Sequence, residues 1–242
     1  MDKKDKILTI IPSYNEEKTI ANVIEQIKRV LPDTDILVVN DGSSDNTLEI
    51  AKECGVKIIS LPHNMGYGIS LQTGFKFAYK YDYDYVIQMD GDGQHDPDSM
   101  LALLDEIRKN EADVVVGSRF RGEGDFKPPL LRRLGILFFS AIASLILRTK
   151  ITDPTSGFQA LNHHGIRFNA SDYYPVDFPD ADFIVMLHRA GLVVHEIPVK
   201  MHPSPPGRVT MHSGLRPVYY IFNMMLSLLV VMLRKHDFKR EQ

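Results

Sequence analysis

Short apolar runs alternate with helical patterns through the first half of the chain. The runs are rich in β-branched residues, and the segments between them have the spacing of amphipathic helices. The predicted strands are residues 7–11, 36–39, 56–61, 85–89 and 114–116. Apolar strands separated by amphipathic helices are typical of a mostly parallel sheet covered by helices on both faces. The pattern therefore predicts an α/β fold.

A polar segment follows each of these five strands. The segments begin at Pro12, Asn40, Pro62, Asp90 and Gly117, and read Pro-Ser-Tyr-Asn-Glu, Asn-Asp-Gly-Ser-Ser-Asp, Pro-His-Asn-Met-Gly, Asp-Gly-Asp-Gly-Gln and Gly-Ser-Arg. In sheets of this kind, ligands bind beyond the carboxyl ends of the strands. We therefore predict that the five segments share one binding site.

The pattern changes after Arg119. A loop rich in glycine, proline and charge precedes an apolar segment at 134–147, and a second apolar segment follows at 218–233. Between them the pattern predicts strands near 158–161 and 193–199 and a helix at 181–190, and the prolines of 201–208 favour a loop. We predict one domain over residues 1–210, with an interfacial helix near 131–148, followed by an apolar helix and basic tail over 211–242.

Composition narrows the functional classes. With 242 residues, 44% of them apolar, the chain can bury the core of one large domain. A formal net charge of −3 offers no general attraction to nucleic acid, so any phosphate binding must be local. The single cysteine excludes a disulfide framework and agrees with a reducing compartment. The N-terminal apolar run is too short for an export signal.

The segment Asp90-Gly91-Asp92-Gly93-Gln94 carries the strongest chemical signal. Two carboxylates that flank a turn at the end of a strand can converge on one hard cation, such as Mg²⁺ or Mn²⁺ bound together with a diphosphate. A plain turn rich in aspartate and glycine is the alternative. An EF-hand is excluded because the spacing of its glycine and terminal glutamate is absent and a strand precedes the segment.

Two further segments suit a nucleotide. Asp41 is placed to accept a base N–H, although an aspartate there also forms turns, and Asp45 is placed to cap the next helix. Tyr14 is placed to stack on a base. Glu16 either approaches the same site or favours a helix N-terminus.

In their order along the chain, these motifs resemble glycosyltransferase family 2. The resemblance extends from residue 7 to about 200, and its later part, Asp-Pro-Thr-Ser-Gly-Phe-Gln-Ala from Asp153 and the strand at Glu196, looks most like the branch containing dolichyl-phosphate mannose synthase. The resemblance implies the GT-A fold, a nucleotide-diphosphate sugar donor linked to UDP or GDP, a divalent metal (Mg²⁺ or Mn²⁺) and inversion at the anomeric carbon.

The resemblance also implies roles for individual residues. It assigns Pro12, Tyr14, Glu16 and Asp41 to the nucleotide, Asn64 and Gly66 to the loop facing the donor, Arg119 to a donor phosphate, and Asp90, Asp92 and Gln94 to the metal, with Asp92 as the central ligand. An ordinary surface ion pair is the alternative for Arg119. The family's Glu-Asp pair before a helix is missing from Pro179-Asp180-Ala181-Asp182, which leaves Asp180 or Asp182 as the base and helix capping as the alternative role.

The two apolar segments predict a membrane surface. Residues 218–233, as a helix, would reach about 24 Å, short of the roughly 30 Å of a hydrocarbon core, so an interfacial position fits better than a spanning one. A buried helix or a homo-oligomer formed through the C-terminal helix is the alternative. Arg132, Arg133 and Arg208 are the candidates for holding an acceptor phosphate, although the sequence after Arg208 departs from the family's Gly-Ser-Lys.

Three functions are compatible with these features. The first is transfer of a sugar to a membrane-associated polyprenyl phosphate, at the cytoplasmic face of a membrane as a peripheral or monotopic protein. The second is transfer to a sugar hydroxyl, for which a base is essential. The alternative to the membrane location is a soluble cytoplasmic one. The third is a non-enzymatic nucleotide-binding protein, whose mark would be a lost metal ligand, and none is lost.

Overall fold

The computed structural model describes residues 4–121, 130–175, 181–202, 225–227, 230, 231 and 233. Asp180, Arg208 and the charged loop that follows Arg121 lie outside these residues, and of Arg132 only the helical backbone is described.

Within the described residues, seven strands form one sheet in the order β3-β2-β1-β4-β6-β5-β7. They are β1 (Ile7–Ser13), β2 (Asp35–Asn40), β3 (Lys57–Ser60), β4 (Tyr85–Gln88), β5 (Val114–Ser118), β6 (Gln159–Asn162) and β7 (Val194–Pro198). All pairs are parallel except those that β6 makes with β4 and β5, which are antiparallel. The predicted mostly parallel α/β fold is confirmed.

Seven helices flank this sheet in the described part of the chain. They are α1 (Ile20–Val30), α2 (Thr47–Glu53), α3 (Tyr67–Lys80), α4 (Ser99–Arg108), α5 (Leu130–Leu147), α6 (His163–Asn169) and α7 (Ala181–Arg189). On α1 the buried positions Ile20, Val23, Ile24 and Ile27 follow the helical repeat and form a single stripe.

The core has two halves because successive strand residues point to opposite faces of the sheet. From β1, Leu8 and Ile10 join a cluster with residues of α3, α5, α6 and α7. Their neighbours Ile7 and Ile11 join a second cluster with residues of α1, α2 and α4. Both faces of the sheet are therefore covered, and its strand ends are where a ligand can approach.

Helix α5 begins at Leu130, one residue before the predicted start at 131, and exposes part of its apolar surface. Phe139 and Ala143 are buried, whereas Leu137, Phe138 and Leu145 are exposed. The described residues 225–227, 230, 231 and 233 are helical, and Val231 is buried in the same cluster as Phe139. Among all the residues that the structure describes, no helix combines the length and apolarity needed to cross a membrane.

Candidate functional site

The turn after β4 presents the two predicted metal-binding carboxylates. Asp92 is 8% exposed, and both of its carboxylate oxygens accept hydrogen bonds from Gln94. The backbone N–H of Gln94 donates to Oδ1 at 2.9 Å and its side-chain Nε2 donates to Oδ2 at 2.5 Å. The backbone N–H of His202 donates to the Gln94 carbonyl at 2.7 Å and ties the turn to the segment after β7. The turn is thus fixed before any ligand binds.

Asp90 is held from two sides. The Tyr67 hydroxyl donates to Asp90 Oδ1 at 2.8 Å, and the Asp90 backbone N–H donates to His95 Nδ1 at 3.1 Å. Burial lowers the pKa of His95, which keeps this imidazole neutral and able to accept at Nδ1. Burial, and after it the Asp90 carboxylate, raises the pKa of Tyr67 well above its usual range, so its hydroxyl stays protonated.

These residues fit a hard divalent cation that a second molecule helps to bind. Asp90 and Asp92 would supply carboxylate oxygens to such a cation. Gln94 uses Nε2 on Asp92, so Oε1 is the atom it would offer as a ligand. Nowhere in the described ranges do three His, Cys, Asp or Glu side chains cluster as a self-sufficient metal site would require. Mg²⁺ and Mn²⁺ sites of this kind take their remaining ligands from substrate phosphates and water.

The predicted nucleotide residues lie on loops that are hydrogen-bonded together. Pro12 is buried at the end of β1, whereas Tyr14 is 45% exposed at the surface of the site. The Glu16 backbone N–H donates to Thr47 Oγ1 at 2.7 Å. The Thr19 hydroxyl lies 3.2 Å from Glu16 Oε2 and 2.8 Å from the carbonyl of Gly91, beside Asp90. The loop after β1 therefore joins the loop after β2 to the carboxylate turn.

Asp41 has a role in the structure that the sequence did not predict. Its two carboxylate oxygens accept the backbone N–H groups of Met65, at 2.7 Å, and Gly66, at 3.0 Å. Gly66 has a φ of 100°, a conformation that favours glycine, and α3 begins at the next residue. Asn64 in the same turn is exposed. Asp41 thus anchors the start of α3 at the site.

Arg119 forms a buried ion pair, so the alternative of an ordinary surface pair is wrong. Its side chain is 8% exposed and that of Asp153 is fully buried. The guanidinium donates to both Asp153 oxygens, each at 2.6 Å, and to Thr155 Oγ1 at 2.7 Å. This fork geometry is the one in which arginine binds a carboxylate most strongly. Arg119 therefore binds the segment between α5 and β6 through Asp153 and Thr155.

Glu196 on β7 holds the other side of that segment. The Glu196 carboxylate accepts three hydrogen bonds: from the backbone N–H of Thr152 at 2.9 Å, from the Thr152 hydroxyl at 2.7 Å, and from the backbone N–H of Asp153 at 2.7 Å. Burial raises the pKa of Glu196, while the hydrogen bonds from Thr152 and Asp153 act in the opposite direction. Sequence reasoning missed Asp153, Glu196 and Tyr67 as supporting residues, although all three lie in motifs that carried the family resemblance.

Of the predicted base and acceptor residues, few are described. Asp182 lies in the first turn of α7, is 9% exposed, and accepts the hydroxyl of Ser227 in the C-terminal helix. Arg133 on α5 is exposed. The side chains of Asp180, Arg132 and Arg208 fall outside the described structure, so their roles stay predictions.

Comparison with known proteins identifies relatives across most of the chain. The family model described as Glycosyl transferase family 2 matches residues 9–170. An uncharacterised protein of Methanocaldococcus jannaschii is 34% identical over 202 residues, covering 81% of this chain and 82% of its own. The UDP-N-acetylglucosamine–dolichyl-phosphate N-acetylglucosaminyltransferase of Methanococcus voltae is 32% identical, covering 81% and 86%. The undecaprenyl-phosphate mannosyltransferase of Micrococcus luteus is 28% identical, covering 87% and 89%.

A solved structure with the same fold is glucosyl-3-phosphoglycerate synthase from Mycobacterium tuberculosis in complex with Mn²⁺, UDP and glucosyl-3-phosphoglycerate. The TM-score is 0.67 at 16% identity, and the match covers 96% of this chain and 82% of that one. The likeness establishes the fold.

Proposed function

This chain belongs to glycosyl transferase family 2 and is a glycosyltransferase. From that premise we propose that it transfers the sugar of a nucleotide-diphosphate sugar to a polyprenyl phosphate. In this reaction a phosphate oxygen of the acceptor attacks the anomeric carbon while the bond to the diphosphate oxygen breaks. The configuration inverts, and the nucleoside diphosphate leaves.

The observation that carries the proposal is the turn containing Asp90 and Asp92. It lies beside the loops after β1 and β2, where the Thr19 hydroxyl reaches the Gly91 carbonyl. Asp90, Asp92 and Gln94 Oε1 would hold the cation. A bound Mg²⁺ or Mn²⁺ would neutralise the charge that grows on the departing diphosphate. The Mn²⁺ and UDP bound by the structural neighbour support this use of the fold.

The nucleotide would lie across the neighbouring loops. Tyr14 is exposed and available for stacking on a base. Asp41 is occupied by the N–H groups of Met65 and Gly66, but each carboxylate oxygen has two lone pairs and can also accept a base N–H. We assign Arg119 to a donor phosphate, as the family resemblance implies.

A phosphate acceptor is favoured by the chemistry of the transfer. Transfer to a sugar hydroxyl needs a base, for which Asp182 is the candidate within the described residues. A phosphate acceptor is an anion before it reacts and needs no strong base. The polyprenyl- and dolichyl-phosphate relatives support the same acceptor. Exposed apolar residues on α5 and in the C-terminal helix would place the protein at a membrane surface, where Arg132, Arg133 and Arg208 would hold the lipid phosphate.

A transfer assay with matched aspartate variants tests the proposal. Purified protein is incubated with Mn²⁺, a panel of UDP- and GDP-sugars and a polyprenyl phosphate in detergent, and the glycolipid is quantified by mass spectrometry. Asp92→Asn should lower the rate at least about 100-fold, because a central carboxylate ligand is lost. The exposed Asp98, six residues further on, provides Asp98→Asn as a control that should keep the wild-type rate. Equal rates for Asp92→Asn and wild type, or full activity in EDTA, would contradict the proposal.

A further inference from the structure

Tyr67 is the first residue of α3, and its backbone is fixed from the end of β2. The two residues before it, Met65 and Gly66, donate their backbone N–H groups to the carboxylate of Asp41. Because both oxygens of one carboxylate are used, the position of this turn relative to β2 is set in two directions. The backbone from which the Tyr67 side chain projects is therefore held in a fixed position relative to β2.

The phenol then reaches the end of β4. Its hydroxyl donates a hydrogen bond to Asp90 Oδ1 at 2.8 Å and accepts one from Nε2 of Gln88 at 3.2 Å. An amide nitrogen is only a donor, so the bond from Gln88 directs the hydroxyl proton of Tyr67 towards Asp90. A hydrogen bond to one carboxylate oxygen fixes the rotation of the whole carboxylate group about its bond to Cβ.

Gly157 shows that this arrangement is tightly enclosed. A Cβ atom at this position would lie 2.7 Å from the Tyr67 hydroxyl and 3.4 Å from Asp90 Oδ2. Any larger residue would push the phenol away from the carboxylate. Gly157 lies at the end of the segment that begins at Thr152. Glu196 and Arg119 hold this segment by hydrogen bonds to Thr152, Asp153 and Thr155, and they therefore keep Gly157 beside the Tyr67 hydroxyl.

We infer that Tyr67 is a positioning residue of the metal site, which orients the Asp90 carboxylate and connects it to the Asp41 turn. The inference rests on the proposed function, in which Asp90 binds the cation. Groups that hydrogen-bond a metal ligand set its orientation, and losing one typically weakens metal binding by about 10- to 100-fold. A shift of the Asp41 turn on nucleotide binding would pass through Tyr67 to the carboxylate.

The test is direct titration of Mn²⁺ into the full-length protein. Tyr67→Phe removes the hydroxyl and keeps the ring. The Kd for Mn²⁺, measured by electron paramagnetic resonance of the free ion in the presence of UDP, should rise at least about tenfold. The matched control is Tyr79→Phe, an exposed tyrosine on the same helix, which should keep the wild-type Kd. Gly157→Ala should raise the Kd in the same direction by displacing the phenol.

Melting temperatures without metal separate positioning from packing. Tyr67→Phe should melt within a few degrees of the control while its Mn²⁺ affinity falls. A wild-type Kd in Tyr67→Phe would overturn the inference and leave the proposed function standing. A raised Kd with an equally large loss of stability in the metal-free protein would also overturn it, since packing would then explain both. If the wild-type protein binds no Mn²⁺, the proposed function fails and the inference fails with it.

Discussion

Arg119 and Asp153 illustrate how much a single residue depends on its buried partner. Both side chains are almost fully enclosed, and the pair is bidentate. Two charges removed from water gain little net stability as a pair, but an unmatched buried charge is costly. The pair therefore acts chiefly as a constraint, because neither residue can change without the other. It fixes the segment that ends at Gly157, next to Tyr67 and Asp90.

Asp153→Asn should destabilise the protein by about 3 kcal/mol, because the Arg119 guanidinium loses its counter-charge in a buried setting. Urea unfolding followed by circular dichroism measures the change. Glu49→Gln, which removes an exposed partner of Lys52, is the matched control and should cost less than about 1 kcal/mol. A cost for Asp153→Asn as small as that of the control would show that water or another anion compensates Arg119.

Helix α5 shows how one helix can divide its surface between packing and exposure. Its two serines, Ser140 and Ser144, form a polar stripe one turn apart and bond to Ile151, four residues after the helix ends. Ser144 Oγ accepts the Ile151 N–H at 3.0 Å, and both serine hydroxyls donate to the Ile151 carbonyl. The stripe thus closes the connection towards β6. The exposed apolar residues of α5 lie elsewhere on the helix, at Leu137, Phe138 and Leu145.

A contact between the start of β2 and the turn before β4 gives a prediction that depends on pH. The Tyr83 hydroxyl donates to Asp35 Oδ2 at 2.7 Å. Burial opposes ionisation of Asp35, but hydrogen bonds from Lys57 and Tyr83 outweigh it and lower the pKa of this carboxyl. A carboxyl with a lowered folded-state pKa stabilises the fold above its unfolded pKa of about 3.9, and this contribution is lost as the pH falls through the folded value.

Tyr83→Phe should therefore cost about 1 kcal/mol at pH 7, and the difference from wild type should shrink below about pH 3.9. Urea unfolding at a series of pH values down to the acid limit of the folded state measures it. Tyr81→Phe, at an exposed position two residues earlier, should show neither effect. A difference that grows as the pH falls would contradict the assignment to the ionised form of Asp35.

At the scale of the whole molecule, α5 and the C-terminal helix, which both expose apolar residues, lie on one face of the sheet. Helix α5 and the C-terminal helix both pack into the cluster on the α3 face, through Phe139, Ala143 and Val231. Ser227 also bonds to Asp182 at the start of α7. The apolar residues that these two helices leave exposed therefore lie on the same half of the protein as the candidate base.

Leu145→Glu should weaken binding to anionic vesicles about tenfold, because a leucine that is 81% exposed would be replaced by a charge that the bilayer repels. Flotation with phosphatidylglycerol vesicles measures the bound fraction. Leu101→Glu, an exposed leucine on α4 across the sheet, is the matched control and should float like wild type. Equal flotation of the two variants would contradict the membrane surface. If wild type is a dimer by ultracentrifugation and Leu145→Glu is a monomer, the exposed apolar surface is instead the interface with a second copy of the chain.

The sequence by itself determined the strands, most of the helices and the Asp90–Gln94 turn. These features follow from spacing within a few residues, since side-chain alternation and helical periodicity are local. Only the tertiary structure decided which groups the site residues meet. Tyr67 and Asp90 are 23 residues apart, Asp41 and Met65 are 24 apart, and Arg119 and Asp153 are 34 apart. The Arg119–Asp153 pair forms because β6 enters the sheet antiparallel between β4 and β5, which brings the segment before β6 to the end of β5. The other two pairs form where the start of α3 meets the residues that follow β2 and β4. Pairing over such distances leaves no periodic trace in the sequence.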